Sequence, residues 1–207
     1  MRKVKKWMAA ALGLVMCAGL AACGGKDFDA AGYTKSVMDA NYHGEYAEYA
    51  KFRDLSEDEA KKEIEDVIDS QVEAAFAGQA LSDEAKADYK TAILNVMKQA
   101  KYEVGEAKEG EDGNFTVSVK VEPVNIFDGA TAASEEIATE YAADGKDLTD
   151  MDVMMEVLVK AFDQAIEEKE YAEPVTVEVK VTKNGDNMYG IEEAEMSNLE
   201  STMFPGI

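Results

Sequence analysis

The chain of 207 residues sets 43 acidic side chains against 21 basic ones and a single histidine, for a formal charge of −22. A surface so acidic is repelled by nucleic acid and by anionic lipid, which excludes nucleic-acid binding as its task. With two cysteines, Cys17 and Cys23, no disulfide scaffold is available, so stability must come from a core, for which the length suffices.

Arg2, Lys3, Lys5 and Lys6 open the chain, and an uncharged apolar run follows from Trp7 to Leu20. A cationic stretch before a short apolar one is the layout of a secretory signal. The run is about 14 residues, whereas a bilayer span needs roughly 20, so a permanent transmembrane helix is the weaker reading. Leu20-Ala21-Ala22-Cys23 then resembles the lipobox of bacterial lipoproteins. That resemblance implies cleavage between Ala22 and Cys23, with a diacylglyceryl thioether on the Cys23 thiol whose two acyl chains are palmitate in type. The partner would be the membrane, on its extracytoplasmic face, and the place a Gram-positive cell surface. Two or more acyl chains hold a protein stably where one does not. Loss of the four basic residues with the signal takes the formal charge to −26. Residues 1–22 are thus expected as signal, 23–26 as lipidated cysteine and flexible tether, and 27–207 as one domain.

From Phe28 to about Ala50 the pattern is helical, broken near His43-Gly44. Tyr42, Tyr46 and Tyr49 fall at i, i+4 and i+7. Ser56-Glu57-Asp58-Glu59 reads as a capping box ahead of the stripe Ala60, Ile64, Val67, Ile68, Val72 and Phe76. Ser82 caps the next helix, which runs to Ala100. The period then changes from 3.6 to 2. Tyr102 and Val104 open a strand, 109–114 turns the chain, and Phe115, Val117, Val119 and Val121 alternate with polar residues. Ser134 is expected to cap a short helix. Thr149-Asp150 starts a strong one with the stripe Met154, Val157, Leu158, Ala161 and Phe162. Val175, Val177, Val179 and Val181 alternate again, 183–187 turns, and Met188–Ile191 returns. Met196, Leu199, Met203 and Phe204 mark a last helix.

The stretches from Ser82 to Pro123 and from Thr149 to Glu193 share one order of elements, with slight residue identity, which points to an internal repeat. One hairpin is marginal alone. Two together predict an α+β fold, a four-stranded antiparallel sheet from two β-hairpins, covered by the amphipathic helices after Ser56, Ser82 and Thr149. The segment Val37-Met38-Asp39-Ala40-Asn41-Tyr42-His43-Gly44-Glu45-Tyr46, the acidic helix after Ser56, and the strands 117–123 and 175–183 carry a resemblance in pattern. They are similar to a domain-of-unknown-function family of small surface lipoproteins in Gram-positive bacteria. It implies a lipid-anchored surface protein and assigns no activity. The opening also resembles the cone-shaped α+β domains related to nuclear transport factor 2, although those place more strands in succession.

No catalytic motif stands out. His43 would have to serve any Ser-His-Asp or Cys-His arrangement, no nucleophile motif points to it, and beside Gly44 it reads as a cap or surface residue. A His/Cys zinc site lacks a free thiol once Cys23 is lipidated. The calcium-loop pattern fails at both acidic turns, because Lys108 and Lys180 occupy its first position. Neither a metal nor a cofactor is expected. With so many carboxylates, any chosen pair is uninformative for a glycosidase. Tyr42, Tyr46 and Tyr49 are the candidate ligand surface, with core packing as the simpler account of the same spacing. Two classes of function remain: a non-enzymatic module binding an envelope component or protein partner, and a carboxylate-based hydrolase with an unrecognised site. A solute receptor usually needs two lobes, for which the mature chain is short.

Overall fold

A computed structural model describes residues 22–23, 28–184 and 188–206. The signal and the Gly24-Gly25-Lys26 tether expected from the sequence lie outside them, save Ala22 and Cys23.

Alternating valines build the sheet. Strands β1 (Ala22–Cys23), β2 (Tyr102–Glu109), β3 (Phe115–Val121), β4 (Val175–Lys183) and β5 (Met188–Ile191) are ordered β1-β5-β4-β3-β2, with every neighbouring pair antiparallel. Val117 stands opposite Val179 and Val119 opposite Val177, and all four are buried. Thr116, Ser118 and Lys120, with Thr176, Glu178 and Lys180, form an open polar face. The two expected hairpins thus lie side by side in one sheet, and the pairing of Ala22–Cys23 with Tyr189 and Met188 adds a short fifth strand. Both hairpin turns sit at the same end, where the Lys183 amide donates to Asn114 Oδ1 at 2.8 Å. The outer strand β2 slips register between Val104 and Ala107. Gly105 lies in this bulge, and a Cβ there would come within 2.6 Å of Ser118 Oγ.

The described residues include seven α-helices: α1 (Ala30–Met38), α2 (Ala47–Arg53), α3 (Glu57–Ala75), α4 (Asp83–Met97), α5 (Ile126–Ala143), α6 (Met151–Glu167) and α7 (Glu193–Met203). The capping box holds as read: Ser56 Oγ accepts from the Glu59 amide at 3.3 Å and Glu59 Oε2 from the Ser56 amide at 2.9 Å. The expected break near His43-Gly44 is a π-helical turn, Asp39–His43, closed by Gly44 in the left-handed region at φ 69°. That conformation costs a residue with a Cβ but not glycine.

Three details depart from the sequence reading. Helix α5 begins eight residues before Ser134, which lies buried in mid-helix and donates to the Thr131 carbonyl. Its start has no side-chain cap, because Asn125 Oδ1 accepts from the Glu170 amide instead. In α6, Met155 enters the core while Met154 stays half-buried. The helices that approach the sheet most closely are α1, against β2 and β3, and α7, against β4. Helices α5 and α6 pair with each other, and α4 packs on α6. The excursion from β3 through α5 and α6 to β4 is pinned at its neck by the Val124–Tyr171 bridge.

Candidate functional site

The polar groups with the most convergent geometry gather at the end of the sheet away from the hairpin turns. Lys35, Asp39 and His43 follow at four-residue intervals through α1 and the π-helical turn. Asp39 Oδ2 pairs with Lys35 Nζ at 2.5 Å, and Asp39 Oδ1 accepts the Tyr102 hydroxyl at 2.8 Å. Tyr102 also stacks on His43, with ring centroids 5.1 Å apart and planes 11° apart, and its hydroxyl lies 3.2 Å from His43 Nδ1. His43 Nε2 faces the Ala100 carbonyl at 3.1 Å and must donate to it. In the neutral imidazole Nδ1 is then an acceptor, competing with Asp39 for the one Tyr102 proton. Burial first, and then Asp39, raise the Tyr102 hydroxyl well above the ordinary phenol range. His43 is exposed, as expected, but it caps no helix; it ties the π-helical turn to the start of β2.

Beside this network opens a cleft of about 410 Å³, lined by His43, Lys101, Tyr102, Glu103, Lys120 and Glu122, with the Ala100 backbone. Its charges alternate in sign. Lys101 Nζ sits 3.8 Å from Glu122 and 3.6 Å from the centre of the Tyr171 ring. Tyr171 in turn donates to the Gln99 carbonyl at 2.9 Å.

The tyrosines singled out from the sequence do not form a ligand surface. Tyr42 and Tyr49 are each 1% exposed and Tyr46 is half-buried against the core. The break at Gly44 places Tyr42 in the π-helical turn and leaves Tyr46 ahead of α2, so one continuous helical face never forms.

Behind Tyr42 lies a group that sequence reasoning missed. Glu200 of α7 is 5% exposed, and neither its Oε1 nor Tyr42 Oη has a hydrogen-bond partner among the described residues. Burial pushes the Glu200 carboxyl up to about 8. Burial, and then the charge of Glu200, raise Tyr42. The signal was available: position 200 falls within the stripe of Met196, Leu199 and Met203.

A second groove, of about 360 Å³ between α4 and α6, is lined by Glu84, Asp88, Asp152, Glu156 and Asp163 with Lys160. Tyr141 donates to Glu156 at 2.6 Å and Lys146 lies 3.0 Å away, and these two bonds hold its carboxyl down at about 2. Among the described residues no group of His, Cys, Asp and Glu is arranged to hold a metal ion, and no helix is long and apolar enough to cross a membrane.

The architecture is that of an α+β domain-like fold built on a one-sided antiparallel sheet. No family model matches the chain, and no curated protein matches it. Among solved structures it is similar to ycdA of Bacillus subtilis subsp. subtilis str. 168, regarded as a lipoprotein, with a TM-score of 0.59 at 16% sequence identity. The likeness covers 85% of this chain and 56% of that one, so the chain spans little more than half of that protein's length. At this identity the likeness is one of fold.

Proposed function

We propose that this protein is a lipid-anchored extracytoplasmic module that binds a polar partner of the cell envelope and performs no chemistry on it. The observation that carries the binding reading is the state of the polar groups around the cleft. Both nitrogens of His43 and both oxygens of Asp39 are already engaged by Ala100, Tyr102 and Lys35. Glu122 is paired with Lys101. A general base must reach the proton it removes, and these groups face one another instead. What the cleft offers outward is a mixed row of lysine and glutamate beside a stacked His-Tyr pair, which suits a partner carrying both charges, such as a peptide.

The anchor reading draws on the lipobox-like Leu20-Ala21-Ala22-Cys23 and on the fold shared with a protein regarded as a lipoprotein. Cys23→Ala is expected to abolish acylation and move the protein from the detergent phase to the aqueous phase. Retention in the detergent phase like wild type would defeat the anchor. For the binding reading, cross-linking on intact cells is expected to give an adduct that Lys120→Glu removes while the unfolding midpoint stays put. An adduct unchanged in that variant would place the contact elsewhere.

A further inference from the structure

The lipid anchor and the cleft sit at opposite ends of the sheet. Cys23 stands opposite Met188 at the start of β5, next to the hairpin turns. Phe28, five residues on, fixes the chain at the same end: its ring stacks on Tyr189 with centroids 4.1 Å apart and planes 7° apart, and lies 6.0 Å from Phe115. Even fully extended, five residues reach no more than about 18 Å. Phe28 thus keeps Cys23 within about 18 Å, and the pairing with Met188 places it at the turn end itself.

The far end is marked by Tyr102, opposite Val121, and by Val175, also opposite Val121. From Phe115 to Val121 the strand covers about 20 Å. The cleft with His43, Tyr102 and Glu122 lies at that far end.

The turn end carries one exposed methionine and a mixed set of charges. Met188, the residue paired with Cys23, is 42% exposed, while the other large apolar side chain so exposed among the described residues, Val175, lies at the far end. Lys108, Lys180 and Lys183 lie here beside Glu109, Glu111, Asp112 and Glu195, whose carboxylate accepts from the Lys180 amide. Lys108 and Lys180 flank Thr116 across the open face.

We propose that the hairpin-turn end, around Met188 and Lys183, rests against the bilayer that holds the Cys23 lipid, and that the His43–Tyr102 cleft points away from the membrane toward the outer envelope. This rests on the anchor reading above. The docked surface is the turn end of the sheet, its partner the lipid headgroup region, and the module stands upright with its cleft about one strand length further out.

The mature protein makes the test clean, because its only tryptophan, Trp7, lies in the signal. Glu111→Trp and Glu103→Trp place an indole at the turn end and at the cleft end. Each lipidated variant, purified from membranes, is reconstituted into phosphatidylglycerol–phosphatidylethanolamine vesicles with a small fraction of dansyl-headgroup lipid. Flotation with the vesicles reports the anchor, and indole-to-dansyl energy transfer reports the orientation. Transfer is expected to be at least about twofold stronger from E111W, given the roughly 20 Å between the sites. Flotation with equal transfer from both, or stronger transfer from E103W, overturns the orientation and leaves the anchor intact. Failure of both variants to float overturns the anchor, and the orientation with it.

Discussion

Glu200 holds its carboxyl group among Met196, Leu199, Met203 and Phe204, all of them buried. In the unfolded chain that carboxyl ionises near its ordinary 4.5, and in the folded protein burial delays ionisation to about 8. Between those values the folded state keeps a proton that the unfolded state has released, so stability falls as pH rises through the window and is level on either side. Each pH unit in it is worth about 1.4 kcal/mol. Glu200→Gln is expected to remove this slope, leaving the variant more stable than wild type at pH 8 by about 2 kcal/mol or more and close to it at pH 4.5. Urea unfolding at the two pH values checks this. The helical stripe shows in the sequence that position 200 faces inward. That Tyr42 is the group waiting there does not show, because 158 residues separate them. The same distance problem hides the His43–Tyr102 pair: the four-residue spacing of Lys35, Asp39 and His43 is plain in the chain, and the tyrosine that completes it belongs to another element.

Elements were readable where local chemistry decides them. The alternation of Val117, Val119 and Val121 with Thr116, Ser118 and Lys120 is enough to define a one-sided strand, and β4 repeats it. Ser56 and Glu59 define the start of α3 in four residues. Replacing the cap by Ser56→Ala leaves the Glu59 amide without its acceptor and is expected to cost about 1 kcal/mol, measured as a lower urea midpoint. Helix α5 was readable only in part. Its entry is set by the neck between Val124 and Tyr171, a contact across 47 residues that no local pattern announces, and Ser134 has the look of a cap without the role. The order helix, strand, strand, helix does recur, as α4-β2-β3-α5 and α6-β4-β5-α7.

Across the molecule, residues from every helix and from β3, β4 and β5 join one buried cluster, from Phe28 to Phe204. The expected consequence is a single cooperative unfolding transition, followed by calorimetry on the mature chain. Tyr49→Ala, which empties a site 1% exposed, should lower that transition as a whole by about 3–5 kcal/mol. Two resolved transitions, only one of them moved by the variant, would show two cores. The burial of Tyr42 and Tyr49 agrees with core packing, the simpler account of their spacing: helical spacing says which residues share a side, and only the assembled fold says whether that side is covered.

The bulge in β2 bears on crowding. Proteins tethered by lipid diffuse in two dimensions, where a given number of copies meets far more often than in free solution. A long straight outer strand would then be a template for pairing between neighbours. The slip at Val104–Ala107, together with Glu103, Glu106, Lys108 and Glu109 along the same strand, breaks the row of free amides and carbonyls and charges its margin. On the anchor proposed above, copies crowded together on a membrane would find no straight strand edge here to pair with.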